Sequence, residues 1–199
     1  MQRRHHYEQA FETYLRAQRV PYVAVDEARK ALLPDNARLT VTDDGGEPGR
    51  PRALKSFDFV IYPHAASAGS RGGGGSAENL LIDVKGRKVS SRGRGGDVVG
   101  RLETWVTEED VASLTAWQTL FGPGFRSAFA FVFWCDAQPP DGLFQHIIEH
   151  RDRWYAVRGI LLDDYAACMR SRSAKWRTVH LGSADFDRLS RPLIGELVG

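Results

Sequence analysis

The run Leu80-Leu81-Ile82-Asp83-Val84-Lys85 is an apolar segment that acquires a carboxylate and an ammonium two residues apart. On a β-strand, residues i and i+2 project from one face, so Asp83 and Lys85 would point together while Ile82 and Val84 pack behind them. Burying opposite charges there is unfavourable unless they have partners or chemistry to perform. A second apolar run, Lys55-Ser56-Phe57-Asp58-Phe59-Val60-Ile61-Tyr62, carries one acid in its middle. If the two strands pair, Asp58 lies beside Asp83, and two carboxylates converge with one lysine. Such a set can hold a hard divalent cation through oxygen ligands and leave the lysine to orient or activate water.

Asp58, a long spacer and then Asp83-x-Lys85 resemble the PD-(D/E)xK nuclease superfamily, whose restriction endonuclease-like and Holliday junction resolvase-like members place an acid on one strand and acid-x-lysine on the next. Phe57 stands where the nominal proline would be. The resemblance covers residues 5–135 and implies an α/β fold with an α-β-β-β-α-β core and a mixed central sheet. It implies a metal-dependent nuclease that hydrolyses phosphodiester bonds, with DNA as the expected partner. Asp58 and Asp83 would ligate Mg²⁺, or Mn²⁺ in its place, with the Val84 carbonyl as a third oxygen. Lys85 would position the attacking water or neutralise the phosphate. In that family an N-terminal helix often adds a glutamate; Glu8 or Glu12 would fill this place, Glu8 fitting the distance to the next strand slightly better. Several branches also place a glutamine in the helix after the Asp-x-Lys strand, where Gln118 stands. Gly122 stands where those branches carry a tyrosine.

The elements that must position these residues follow in order. Tyr7, Phe11, Tyr14 and Leu15 repeat at helical spacing and predict a helix over residues 5–19, ended by Pro21. Glu8 and Glu12 lie one turn apart on nearly one face, where each could equally be a solvated acid pairing with Arg4 or Arg16. Residues 22–25 read as the first strand, 34–52 as a loop or hairpin tip, and 55–62 as the second strand. The Gly- and Ser-rich stretch 65–77 reads as an inserted flexible loop. It ends in Gly75-Ser76-Ala77-Glu78, without the lysine and helix that a phosphate-cradling P-loop requires. After Lys85 the chain turns basic. Arg87, Lys88, Arg92 and Arg94 predict a loop beside the site that would contact a phosphate backbone, the alternative being an ordinary solvated loop.

Thr107 reads as an N-cap with an acid three residues on, and Val111, Leu114, Trp117, Leu120 and Phe121 form the stripe of a second helix stopped by Gly122-Pro123-Gly124. The fully apolar residues 127–135 predict a strand buried on both faces. The remainder, 136–199, reads as an elaboration packed on the core of a single domain: a hairpin of 144–150 and 153–160 around Arg151-Asp152, a helix over 163–172 and a strand over 176–181. Arg170, Arg172, Lys175 and Arg177, with no acid between them, could extend a nucleic-acid-binding surface.

Composition sets the outer bounds. The chain has 199 residues and a formal charge of +2, so bulk charge does not declare a polyanionic partner and local clustering must carry that case. Two cysteines, Cys135 and Cys168, lack CxxC spacing, which favours reduced thiols and a cytoplasmic location. No secretory leader is expected, and the longest apolar run, 128–135, is too short to span a membrane. A homodimer would suit paired cuts. Two other readings remain open: a catalytically inactive nuclease-fold module that binds nucleic acid or protein, and a zinc hydrolase using His146 and His150 of the HxxEH sequence, which requires a helix.

Overall fold

A computed structural model describes residues 2–26, 40–41, 52–62, 78–89, 102–136, 138 and 146–193. Helix α1, Gln2–Ala17, buries Ala10, Phe11, Tyr14 and Leu15, the apolar stripe of its sequence. Strands β1 (Tyr22–Ala24), β2 (Thr40–Val41), β3 (Arg52–Ala53), β4 (Phe59–Ile61) and β5 (Asn79–Val89) follow. β2 and β3 pair as a short antiparallel ribbon; the rest of the stretch 34–52, expected as a loop or hairpin tip, lies outside the described residues.

After β6 (Val106–Thr107), helix α2 (Glu108–Phe121) begins with a capping box in which the Thr107 side chain accepts from Asp110 N and the Asp110 side chain accepts from Thr107 N. It stops at Gly122 and Gly124, both at positive φ, where a β-carbon would be strained. The chain continues through β7 (Phe125–Cys135), β8 (Ile147–Glu149), β9 (Trp154–Leu161), α3 (Leu162–Cys168), β10 (Arg170–Ser173), β11 (Thr178–His180) and α4 (Ser183–Leu189).

Six strands form a mixed sheet in the order β1-β4-β5-β7-β9-β8, so the fold is α/β. Every neighbouring pair is antiparallel except β5 and β7, which run parallel in register from Asn79 opposite Phe125 to Val89 opposite Cys135. A parallel pair needs a crossover, and α2 supplies it. Strand alternation divides the core. Phe59, Ile61, Leu80, Ile82, Ala128, Ala130 and Val132 pack with α1, whereas Val60, Leu81, Phe129, Phe131 and Phe133 pack with residues of α2, α3 and α4. From Ser127 to Phe133 β7 is buried on both sides, as the apolar run that begins at Ala128 requires.

Several boundaries differ from the sequence expectation, each for a local reason. The second strand shortens from 55–62 to Phe59–Ile61 because the segment before it is bound to α2: Lys55 N donates to Ser113 Oγ at 3.2 Å, and Trp117 Nε1 donates to Lys55 O at 2.8 Å. The basic residues Arg87 and Lys88 belong to β5 rather than to a loop, because their backbone continues the ladder with Phe133 and Trp134. The helix expected over 163–172 ends at Cys168, and Arg170–Ser173 instead pairs antiparallel with β11, which also pairs with β6 to make a three-stranded sheet. α4 has no counterpart in the sequence reading. The hairpin around Arg151-Asp152 is present, and both turn residues take positive φ, the backbone of a tight primed turn. Cys135 and Cys168 are free thiols. Among the described residues, no helix is long and apolar enough to cross a membrane.

Candidate active site

The strand arithmetic around Asp83 places the charges. Leu81 and Val89 face the α2 side of the sheet, so Asp83, Lys85 and Arg87, at the same parity, face it too. Asp58 sits one residue before β4, where the ladder register breaks: its N–H donates at 2.8 Å to the carbonyl of Ile82, the residue already opposite Phe59, and this holds Asp58 against β5 near Asp83. Its carboxylate Oδ2 accepts from Val84 N at 2.6 Å. Lys85 Nζ lies 2.8 Å from Asp83 Oδ2 and 3.3 Å from Asp110 Oδ2. A second ammonium, Lys55 Nζ, lies 3.0 Å from Asp110 Oδ1, 3.1 Å from Glu109 Oε2 and 3.1 Å from Thr107 Oγ1.

These groups line one cleft of about 500 Å³, walled by Asp58, Asp83, Val84, Lys85, Lys55 and Asp110 from the sheet and α2, and by Tyr7 and Glu8 from α1. Gly86 lets α1 approach: a β-carbon there would stand 2.2–2.7 Å from ring carbons of Tyr7. The close packing of Tyr7 on the strand brings the neighbouring Glu8 to the cleft wall.

The electrostatics follow from burial. The Asp58 carboxyl is pushed up to about 8, first by loss of solvent and then by the Asp83 and Glu8 charges, against the opposing Val84 N–H and Lys85. Burial also raises Asp83, opposed by its ion pair with Lys85. Asp110 goes the other way. Burial would raise it, but Lys85, the two bonds to Thr107 and Lys55 together hold it down at about 2. The cleft therefore pairs two carboxyls that resist ionising together with one acid that is ionised throughout the ordinary pH range.

The expected residues divide clearly. Asp58, Asp83, Val84, Lys85 and Glu8 share the cleft. Glu12 does not line it; its Oε1 accepts from Arg16 at 2.6 Å and from the Tyr22 hydroxyl at 2.7 Å. Gln118 also lies elsewhere, with Oε1 accepting from Ser127 N at 2.6 Å and so fastening α2 to β7. Arg87 reaches the cleft wall, but its guanidinium stacks 4.0 Å over the Trp105 ring and donates to the carbonyls of Gly86 and Trp105. Lys88 pairs with Asp136 at 3.0 Å over the Trp134 ring, outside the cleft. Arg92 and Arg94 lie outside the described residues.

His146 and His150 flank the strand Ile147–Glu149 instead of sharing a helix face, so the geometry of the HxxEH zinc site is not formed; His150 Nδ1 meets Thr13 Oγ1 at 2.9 Å. Lys55 and Asp110 are site residues that the sequence reading missed as such. Their signals were the lysine three residues before Asp58 and the acid of the capping box at the start of the crossover helix.

Among the described residues, no three His, Cys, Asp or Glu side chains are already gathered into a cation cage. The donor chemistry nevertheless fits a hard divalent ion: two buried carboxyls raise each other's cost of ionising, and a cation between them would offset that cost. Comparison of the chain with family models, with characterised proteins and with solved structures gives no match.

Proposed function

We propose that the protein is a metal-dependent nuclease of the PD-(D/E)xK type, hydrolysing phosphodiester bonds with DNA as the expected substrate. The observation that carries this reading is the convergence of Asp58, Asp83, Lys85 and Glu8 in one cleft. The succession α1, β1, β4, β5, α2, β7, with β5 and β7 parallel, supports a restriction endonuclease-like core.

Asp58 and Asp83 would hold Mg²⁺ or Mn²⁺, with Glu8 and the Val84 carbonyl as further oxygen donors. The bound ion would lower the pKa of a water ligand and offset charge on the phosphate. Lys85 contributes an ammonium adjoining Asp83, placed to orient the attacking water or neutralise a phosphate oxygen. Lys55 adds a second cation to the same wall. Asp110 holds both ammonium groups on the cleft side of α2.

A binding module without cleavage is the second reading. It is favoured by the way Lys85 is already neutralised between Asp83 and Asp110. Incubating the protein with supercoiled plasmid and circular single strands, with Mg²⁺, Mn²⁺ or chelator, separates the two. The nuclease reading expects metal-dependent cleavage that falls by at least about 10²-fold in Asp83→Ala and Lys85→Ala with unchanged circular dichroism. Cleavage that survives in Asp83→Ala would refute it, and salt-sensitive binding without cleavage in any metal would leave the binding module.

A further inference from the structure

The β10–β11 hairpin carries a feature that the cleft does not explain. Trp176, at its turn, is 70% exposed, the most exposed large hydrophobic side chain among the described residues. It buries no core, and Lys175 Nζ lies 5.4 Å from its ring. From Arg170 to Arg177 the chain has four cations and no acid, and β10 is an edge strand of its three-stranded sheet. Three of the cations meet acids on other elements: Arg170 with Asp185, Arg172 with Glu103, and Arg177 with Glu108. The Arg170 and Arg177 side chains remain 69% and 70% exposed in those pairs. Exposed pairs of this kind are weak enough for phosphates to compete with them.

The hairpin is also joined to the cleft. Thr178 of β11 pairs with Thr107 of β6, and Arg177 O accepts from Glu108 N at 2.9 Å. Thr107, in turn, touches Lys55 in the cleft wall, and Asp110 lies two residues beyond Glu108. A solvent-facing indole among cations is the arrangement that takes an unstacked base on its face and the adjoining phosphates on its flanks.

We propose that this hairpin is a binding surface for single-stranded nucleic acid, with Trp176 stacking on a base and Lys175, Arg170 and Arg177 meeting the backbone. The assignment rests on the nuclease reading, because it takes the cleft as the destination of the strand's phosphate. A paired duplex offers no free base face to Trp176, so the preference is for unpaired strands.

The test measures equilibrium binding of labelled oligodeoxythymidylate, oligouridylate and a blunt DNA duplex to the full chain in chelator. Trp176→Ala is expected to weaken binding of both single strands by roughly tenfold or more. Duplex binding should change less than about twofold, and Trp176→Phe should retain most of the single-strand affinity. Lys175→Ala should lower the salt slope for single strands by about 0.7. Equal single-strand affinity of wild type and Trp176→Ala overturns the proposal, as does no single-strand binding by the wild type or an equal loss on the duplex. Exposure of Trp176 lets the variant fold, which circular dichroism checks. The outcomes stay separate from the nuclease reading: Trp176-dependent binding without cleavage in any metal removes the nuclease alone, and cleavage with unaltered binding by Trp176→Ala removes the hairpin surface alone.

Discussion

Lys85 reaches Asp110 across 3.3 Å and so ties the central strand to the first turn of α2. The same carboxylate caps the helix by accepting from Thr107 N at 2.8 Å, and its other oxygen meets Lys55 at 3.0 Å. One side chain therefore sets the helix start and holds the two ammonium groups of the cleft wall.

Replacing Asp110 by Asn keeps a cap acceptor but leaves two partly buried cations without this counter-charge. The expected loss is about 2–4 kcal/mol in urea unfolding at pH 7, since breaking a buried pair outweighs removing a cap alone. The folded-state acid is held at about 2, below its ordinary 3.8. Its contribution is thus complete above about pH 4 and is lost as pH falls through 2. The stability gap between wild type and Asp110→Asn should narrow over that window, and a gap that stays constant from pH 5 to pH 2 would contradict the ion pairing.

Asp58 has the opposite sign. Its folded-state carboxyl is pushed up to about 8, so between pH 4 and pH 8 the folded chain holds a proton that the unfolded chain releases. The contribution of this group therefore favours folding most at low pH and weakens as pH rises to about 8. In chelator, Asp58→Asn removes that slope and should raise the melting temperature at pH 8 by at least about 2 °C, the shift expected for ~1 kcal/mol at this chain length. Mn²⁺ should stabilise the wild type, by about 2.7 kcal/mol at a hundredfold excess over its Kd, and more effectively at pH 8.5 than at pH 6.5, because it competes with the Asp58 proton. Thermal melts with and without Mn²⁺ across that range decide the matter; a less stable Asp58→Asn at pH 8 would show that the carboxyl is not under this strain.

What the sequence could show and what it could not differ by the range of the interaction. The period of two in Ile82-Asp83-Val84-Lys85 is a local property, and it carried Asp83 and Lys85 to one face. The acid within 55–62 was legible as a candidate, but its place near Asp83 depends on two segments distant in sequence coming together. Glu8 and Glu12 are nearly equivalent on a helical wheel; the Tyr22 hydroxyl, brought back by the following strand, joins Arg16 in engaging Glu12 away from the cleft. Arg170-Ser171-Arg172-Ser173 offers no apolar period, so its strand state depends on pairing with Thr178–His180, which local propensity cannot supply. Asp110 was readable as a cap, but its role at the cleft depends on where α2 lands against β5, a tertiary fact.

Tyr7 and Gly86 together fix how α1 delivers Glu8. A β-carbon at residue 86 would lie 2.2, 2.3 and 2.7 Å from Tyr7 ring carbons, closer than any real contact. Tyr7 also packs edge-on against Tyr155 at 6.2 Å between centroids, so its ring has neighbours on more than one side and cannot simply move away. Gly86→Ala should therefore shift the start of α1 and destabilise the fold by about 1–3 kcal/mol, the usual cost of overpacking. Tyr7→Ala destabilises by loss of aromatic packing, yet it also removes the clash. The double variant should thus be more stable than the sum of the single losses predicts, by at least about 0.5 kcal/mol. Urea unfolding of the four proteins measures that coupling, and strict additivity would mean that Tyr7 and Gly86 do not bear on one another. If cleavage is present, Gly86→Ala should reduce it more than its stability loss explains, because Glu8 is displaced with its neighbour.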